Sequence, residues 1–155
     1  MSIQIGRLPM NDLTRLVYIS RSTQLDQGEN HIQEVNEQIL LEAHAFNKIN
    51  NITGILCFGN GCYFQVIEGS KNVVELLYAK IEKDPRHKDI KLMFKEPITA
   101  LSFAEWRMKF VNEINITMPL INLHGHKHFN PFEFAENLCK DLIDFLSQKC
   151  AGGKC

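Results

Sequence analysis

The chain has 155 residues, of which 45% are hydrophobic and 23% charged, and its formal net charge is −1. This length favours a single domain with a sizeable core, and near-neutral charge gives no overall attraction to nucleic acid or an anionic membrane. No apolar run approaches the ~20 residues of a membrane span, and the first residues lack the pattern of a signal peptide. We therefore expect a cytoplasmic protein that binds neither nucleic acid nor membrane.

The apolar pattern predicts five strands and two helices in the order β-α-β-β-α-β-β. Alternation and β-branched residues indicate the strands, and apolar residues at three- and four-residue spacing indicate the helices. The turn "GNG" at 59–61 predicts a hairpin, and Ser70 is expected to cap the second helix. The predicted ranges are strand 13–20, loop 21–30, helix 31–50, strand 52–58, strand 62–69, helix 70–84, strand 89–99 and strand 103–111.

This order is typical of an α+β, ferredoxin-like βαββαββ sandwich, with a five-stranded mixed sheet and two helices on one face. We predict four regions: a flexible leader at 1–12, the core domain at 13–111, a C-terminal helical extension at 112–149 and a disordered tail at 150–155. The extension begins with a polar connector that includes "LHGHKHFNP" and continues as one amphipathic helix over 131–149. Its apolar stripe is expected to pack on the open sheet face or on another subunit; the stripe comprises Phe134, Leu138, Leu142, Phe145 and Leu146.

Polar or redox-capable side chains fall inside three of the predicted strands. Alternation places Gln65 on one strand face with Tyr63 and Ile67, where its amide needs partners if it is buried. The alternative is an edge strand with the amide in water. For Tyr18 and Trp106, the alternative to a functional role is ordinary packing with the polar atom satisfied.

Two further segments allow a functional or a structural interpretation. Asn47 follows the inward stripe of the first helix and could bind a ligand between helix and sheet, or could simply be a polar residue near a helix end. The cations of "KDPRHKD" at 83–89 could bind a phosphate or a ribityl chain, or could only face the helix dipole. The histidines of "HGHKH" could ligate a metal, but no nearby Cys or carboxylate completes a recognisable spacing, and we predict no metal site.

Taken together, these segments resemble the BLUF family, the sensors of blue light using flavin, over about Leu13 to Val111. The motifs that carry the resemblance are "LVYIS", "NKINNITGIL", "YFQVIEG", "DPRH" and "FAEWRM" in that order. One such motif would be weak, whereas five in order at fitting separations are specific. The chain departs from the family at Phe46, where many members have a polar residue.

The resemblance implies a non-covalently bound FAD, held between the two helices and the sheet. It assigns Tyr18 as the donor of an electron and a proton, and Gln65 as the amide between Tyr18 and the flavin ring. Trp106 and Met108 would form the fifth-strand segment that responds to Gln65. The remaining cofactor-binding residues that it implies are Asn47 at the pyrimidine edge, Ile39 and Ile81 flanking the ring, and Lys80, Asp84, Arg86 and His87 toward the ribityl-phosphate and the ring edge.

The resulting functional prediction is a stand-alone blue-light photoreceptor that is not an enzyme. About 40 residues after the core are too few for a catalytic output domain, so the signal would leave through the fifth strand and the C-terminal helix. Its receiver would be a partner protein of unknown identity or a homo-oligomer. The alternatives are a small phosphate-ester hydrolase that uses Arg86 and His87, and a metal-binding interaction module built on "HGHKH".

Overall fold

The computed structural model describes residues 12–112 and 114–150. The predicted leader, apart from residue 12, and the predicted tail, apart from the backbone of residue 150, lie outside the described residues. The strands are β1 Leu13–Ser22, β2 Thr53–Gly59, β3 Cys62–Ser70, β4 His87–Pro97 and β5 Lys109–Val111; the α-helices are α1 Glu29–Asn50, α2 Lys71–Glu82, α3 Met118–Leu123 and α4 Glu136–Cys150. No helix among these residues is both long and apolar enough to cross a bilayer.

The strands form one mixed sheet in the order β4-β1-β3-β2-β5. The strand β5 runs parallel to β2, and the other neighbouring strands are antiparallel. The predicted hairpin between β2 and β3 is confirmed, with Asn60 and Gly61 at φ of 49° and 75°, the positive values that a two-residue turn of this kind requires. The predicted α+β, ferredoxin-like fold with a five-stranded mixed sheet is therefore confirmed.

The central strand β3 is buried on both faces, because every residue from 62 to 69 is buried. On one face, Leu16, Tyr18 and Ile67 form a core with α2, and Leu56 and Tyr63 form a smaller one beside α1. This arrangement places a polar Gln65, 5% exposed, in the middle of an apolar sheet. The alternative of an edge strand with the amide in water is therefore excluded.

The opposite sheet face is covered by the C-terminal extension of the same chain. Leu138, Leu142 and Leu146 of α4 are fully buried against Val17 and Phe64 of the sheet. This is one of the two positions expected for the apolar stripe. The helix is shorter than the predicted 131–149, because Asn130 accepts a bond from the Phe132 amide, residues 131–133 form a 3₁₀ turn and Phe134 is extended.

The predicted strand at 103–111 is wrong over its first six residues, since β5 contains only Lys109–Val111. The backbone N–H groups of Ser102 and Phe103 donate to the Glu68 carboxylate, and the Trp106 N–H donates to the Phe103 carbonyl. These bonds turn the chain away from the sheet. The connector after β5 also contains the short helix α3, which the sequence did not predict.

Candidate functional site

A cleft lies between the two helices α1 and α2 and the sheet face that they cover. Its floor is formed by sheet residues and its walls by the helices and by the turn after α2. All the predicted site residues except Trp106 and Met108 line it: Tyr18, Ile39, Asn47, Gln65, Lys80, Ile81, Asp84, Arg86 and His87. The cleft is also lined by Glu42, Ala43, Phe46, Leu56, Tyr63 and Leu77.

Tyr18 and Gln65 face each other across the β1–β3 ladder at the floor of the cleft. The Tyr18 hydroxyl donates a hydrogen bond to Oε1 of Gln65, and Nε2 of Gln65 donates toward the Met108 sulfur at 3.4 Å. All three side chains are at most 5% exposed. Since sulfur is a weak acceptor, the amide has one strong partner, Tyr18, and one weak partner, Met108.

Trp106 lies away from this pair. It packs against the core between the sheet and α4, whereas Met108 packs with Leu56 and Tyr63 on the cleft side. Neither Trp106 nor Met108 lies in the fifth strand as predicted, because β5 begins at Lys109 and the chain around Trp106 forms a turn. Met108 is the one of the two that contacts Gln65.

Two buried tyrosines give the cleft an environment that favours neutral phenols. Burial holds the pKa of Tyr18 far above its ordinary value, and nearby Tyr63, Asp84 and Tyr78 raise it further. Burial also raises the pKa of Tyr63 to about 12. The Tyr63 hydroxyl donates to Oδ1 of Asn36 at 2.5 Å. At neutral pH both tyrosines therefore keep their protons.

Asn47 presents an unpaired acceptor near the end of α1. Its Nδ2 donates to the Arg107 carbonyl, while its Oδ1 is buried without a hydrogen-bond partner. A buried polar atom without a partner costs about 1–3 kcal/mol. Because Asn47 lines the cleft, this atom is suited to accept a hydrogen bond from a bound molecule.

Charged side chains from both helices meet at the mouth of the cleft. Arg86 donates to Asp84 in the turn after α2, at 2.6 to 3.1 Å, and to Glu42 of α1 at 2.9 and 3.3 Å. These partners raise the pKa of Arg86, chiefly through the Asp84 bond. Lys80 stands over the Phe46 ring, with Nζ 5.0 Å from its centre. The mouth therefore carries both donors and acceptors around an apolar interior.

His87 holds the turn after α2 against the sheet. Its Nε2–H donates to the Ile81 carbonyl at 2.8 Å, and its Nδ1 lies 2.8 Å from the Ser20 hydroxyl. The ring also meets those of Tyr18 and Tyr63 edge-on, at 6.0 and 6.1 Å between centres. His87 thus fixes the wall of the cleft beside both phenols.

Tyr63 and Glu42 were missed as site residues by the sequence prediction. The signal for Tyr63 was present, since it lies two residues before Gln65 on the same strand face. Glu42 carried no such signal, because its role depends on how close α1 comes to the turn after α2.

The two alternative functions gain no support. Among residues 12–112 and 114–150, no group of three His, Cys, Asp or Glu side chains could hold a metal ion. His124 pairs with Asp141 at 3.1 Å and His126 packs against Phe134. The hydrolase alternative rests on Arg86 and His87 alone, and Arg86 is held in ion pairs with Asp84 and Glu42.

The fold and the cleft together define a ligand-binding α+β domain with a hydrogen-bonded phenol–amide pair at the floor of its site. The chain belongs to the BLUF family, whose model, described as sensors of blue-light using FAD, matches residues 13–109. Members of this family are flavin-binding blue-light photoreceptors.

Solved structures and curated relatives agree with this assignment. The chain is 34% identical to BlsA in its photo-activated state, with a TM-score of 0.78 over 87% of this chain and 94% of that one. It is 27% identical to BlrB, a BLUF protein in its dark state, with a TM-score of 0.72 over 91% and 99% of the two chains. It is also 34% identical to a photoactivated adenylate cyclase subunit beta of Euglena gracilis, over 72% of this chain but only 13% of that protein.

The residues of the cleft fit a flavin. A flavin ring system is flat and largely apolar, and the cleft offers Ile39 and Ile81 from opposite helices. A flavin edge carries an N–H group, which is what the unpaired Oδ1 of Asn47 lacks.

Proposed function

We propose that this domain senses blue light through FAD held non-covalently in the cleft, with Tyr18 and Gln65 as its photochemical residues. The observation that carries the proposal is the buried hydrogen bond from the Tyr18 hydroxyl to the Gln65 amide oxygen. A bound flavin supplies the absorption of blue light and an excited ring that accepts an electron. The donation of the electron and the proton, and the rearrangement of hydrogen bonds, belong to side chains of this chain.

Tyr18 is the proposed donor of an electron and a proton. Its high pKa disfavours loss of the proton alone, but a phenol that has given up an electron becomes a strong acid. The nearest acceptor is Oε1 of Gln65, because Tyr18 is 4% exposed and water is excluded. The proton therefore leaves along the existing hydrogen bond.

Gln65 is the proposed switch, because an amide has a donor end and an acceptor end. Its present orientation gives oxygen to Tyr18 and N–H to the Met108 sulfur. A rearranged amide would offer N–H to the Tyr18 oxygen and a different group to the cofactor and to Met108. The weak bond to sulfur makes this exchange inexpensive on the Met108 side, and a buried amide has few other partners to choose.

The proposed contacts of the cofactor follow the walls of the cleft. Asn47 would bind the ring edge and Ile39 and Ile81 would flank the ring. Lys80, Asp84, Arg86 and His87 would lie toward the ribityl-phosphate and the ring edge. FAD, rather than a shorter flavin, is supported by the description of the family, and identification of the cofactor released on denaturation by mass spectrometry tests it.

We propose that the domain itself is not an enzyme and that its output passes to a separate protein or through a homo-oligomer, in the cytoplasm. Some relatives are named as cyclase subunits, and the chain spans only 13% of the first of these. In such proteins the part matched here is a small fraction of the whole. The support is thus for a sensor module whose effector is a different unit.

The decisive experiment is an absorption spectrum of the flavin-loaded protein before and after blue light. The wild-type protein is expected to show a small red shift that relaxes in the dark. Tyr18→Phe and Gln65→Leu are expected to bind flavin and to lose the shift, because each removes one half of the buried pair. Tyr78→Phe is the matched control. The rings of Tyr78 and Tyr18 lie 5.7 Å apart between centres, and this variant removes a nearby phenol hydroxyl while leaving the Tyr18 and Gln65 side chains in place. A normal shift in Tyr18→Phe or Gln65→Leu would refute the assigned roles.

A further inference from the structure

Tyr63 is a second buried phenol in the cleft, and the proposed photochemistry does not use it. The chain has three tyrosines and one tryptophan, and all four lie within the described residues. Of these four, Tyr18 and Tyr63 line the cleft, whereas Tyr78 and Trp106 do not. Phenol and indole side chains are the ones that most readily give up an electron. The cleft therefore holds two candidate electron donors.

The β1–β3 register places Tyr63 diagonally opposite Tyr18. Gln65 is directly opposite Tyr18, and Tyr63 precedes Gln65 by two residues on the same strand face. Diagonal neighbours of this kind lie about 7–8 Å apart, which aromatic side chains can span. Both phenol rings also meet the His87 ring edge-on, at 6.0 Å for Tyr18 and 6.1 Å for Tyr63. The two phenols thus stand side by side at one ligand site.

The two phenols differ in the residue that accepts their hydroxyl proton. The Tyr18 hydroxyl donates to Oε1 of Gln65, whereas the Tyr63 hydroxyl donates to Oδ1 of Asn36 in α1 at 2.5 Å. Tyr63 is 2% exposed and Asn36 is 4% exposed, so both partners of this second bond are buried. A phenol that has lost an electron becomes a strong acid, and its proton moves along the hydrogen bond already in place. The proton of Tyr63 would therefore move toward α1 and away from the Gln65 amide.

We propose that Tyr63 is a second electron donor to the light-excited flavin, which competes with Tyr18 and does not lead to the red-shifted state. This inference rests on the proposed function, because it requires a flavin in the cleft. Tyr63 is oxidised by one electron, the flavin ring takes up that electron, and the hydroxyl proton moves to Oδ1 of Asn36. When the electron returns to Tyr63, the proton returns along the same bond. The hydrogen bonds of Gln65 are not rearranged, because Gln65 has taken no part.

The competition between the two phenols sets the light sensitivity of the protein. Each excitation that draws its electron from Tyr63 is lost to the photocycle, whereas one that draws it from Tyr18 can rearrange Gln65. Asn36 acts here as a positioning residue, because it orients the Tyr63 hydroxyl and accepts its proton. Removing the Tyr63 hydroxyl should therefore increase the number of red-shifted molecules formed per absorbed photon.

The test is the fluorescence lifetime of the bound flavin, measured beside the light-induced red shift, because each electron donor in the cleft shortens that lifetime. Tyr18→Phe is expected to remain strongly quenched, and the double variant with Tyr63→Phe is expected to have a several-fold longer lifetime. The matched control combines Tyr18→Phe with Tyr78→Phe. The Tyr78 ring lies 5.7 Å from that of Tyr18 but outside the lining of the cleft, so this double variant should keep the lifetime of Tyr18→Phe.

A solvent isotope effect separates a loss of the donor from a change in packing. In Tyr18→Phe, the lifetime is expected to lengthen in deuterium oxide, because the Tyr63 proton moves with the electron. This lengthening should disappear when Tyr63→Phe is added. If that double variant does not bind flavin, Tyr63→Phe alone decides, because it should form more red-shifted protein per absorbed photon than the wild type.

The two proposals fail in different measurements. Equal lifetimes in Tyr18→Phe and in its double variant with Tyr63→Phe would overturn the inference and leave the proposed function intact. An unchanged yield of red-shifted protein in Tyr63→Phe, or a lifetime of Tyr18→Phe that deuterium oxide does not alter, would also overturn it. Absence of a red shift in the wild-type protein would overturn the proposed function, and the absorption spectrum alone identifies that case.

Discussion

The Tyr18 hydroxyl donates to the Gln65 oxygen at the floor of the cleft, where the two side chains are 4% and 5% exposed. Strand pairing makes this contact unavoidable, because the two residues are directly opposite in the β1–β3 register. The amide nitrogen has only the Met108 sulfur at 3.4 Å. The pair therefore combines a rigid backbone with a side chain that has an alternative set of partners.

Asn47 is the residue at which cofactor affinity can be tested without changing the phenol–amide pair. Asn47→Leu removes the unpaired Oδ1 that would accept a bond from the flavin edge. One net hydrogen bond is worth about 0.5–1.5 kcal/mol, so the flavin dissociation constant is expected to rise about two- to tenfold. Fluorescence titration with flavin measures it.

Thr53→Val is the control for Asn47→Leu. Thr53 also carries a buried oxygen without a partner, but it does not line the cleft. Removing that hydroxyl is expected to leave flavin affinity unchanged and stability equal or slightly higher. Equal affinities in Asn47→Leu and the wild type would show that Oδ1 does not bind the cofactor.

Tyr63 predicts a specific loss of stability at alkaline pH. Its pKa is about 12 in the folded protein, against 10 for an ordinary tyrosine. The neutral, buried phenol therefore stabilises the fold fully below pH 10, and this contribution is lost as pH rises from 10 to 12, at about 1.4 kcal/mol per pH unit. Urea unfolding across this range is expected to show a shallower decline in Tyr63→Phe than in the wild type. Parallel declines would contradict the role of the Tyr63 hydroxyl.

At the scale of single residues, the sequence was a better guide to which residues line the cleft than to the contacts that those residues make. The pattern of apolar residues drew attention to Gln65 and Asn47, and the resemblance to the BLUF family implied the roles of Tyr18, Gln65 and Asn47. The pairing of Arg86 with Glu42 could not be predicted, since it joins α1 to a turn 44 residues later in the chain. Sequence periodicity gives the face of an element, whereas such contacts depend on how close two elements come.

The elements themselves were predictable wherever the backbone bonds stay within a helix or a sheet. The segment 103–108 has the alternation of a strand, but its first N–H group, like that of Ser102 before it, donates to the Glu68 carboxylate. A side chain 34 residues earlier in the chain thus overrides a local pattern. This is also the segment that carries Met108 to the cleft, so the failed prediction falls at a place of functional interest.

At the scale of secondary-structure elements, Gly54 of β2 is a position where adding a single methyl group should lower the stability of the fold strongly. A Cβ there would lie 2.0 Å from the Val66 backbone oxygen, which cannot move without opening the β2–β3 ladder. Gly54→Ala is expected to cost about 3 kcal/mol or more. Gly69→Ala is the matched comparison, because its Cβ would meet a side-chain atom, Cδ1 of Ile52, at 2.6 Å rather than the backbone, and the cost should be about 1–2 kcal/mol. Urea unfolding of both variants checks the order, and a smaller loss in Gly54→Ala than in Gly69→Ala would contradict it.

On the scale of the whole molecule, one sheet separates the core against α4 from the core on the cleft side, which consists of the two clusters against α2 and α1. The cleft and its tyrosines lie on the α1 and α2 side, whereas α4 and Trp106 lie on the other. The strand β3 contributes to both, with Phe64 and Val66 toward α4 and Gln65 and Ile67 toward the cleft helices. Since no residue of β3 from 62 to 69 is exposed, neither core can open without uncovering this strand.

The shared strand predicts that the two cores unfold together, and Leu142→Ala tests this. Leu142 is fully buried between α4 and the sheet, so truncation is expected to cost about 2–5 kcal/mol. The single tryptophan, Trp106, reports the α4 side, and release of bound flavin reports the cleft side. If β3 couples the two sides, both signals should shift to the same lower urea concentration, as a two-state transition requires.

Leu123→Ala, at a side chain 83% exposed, is the control and should change stability by less than about 0.5 kcal/mol. A Leu142→Ala variant in which the tryptophan signal moves while flavin release stays at the wild-type midpoint would show that α4 is a separate unit. The sheet would then hold the cofactor without its second layer.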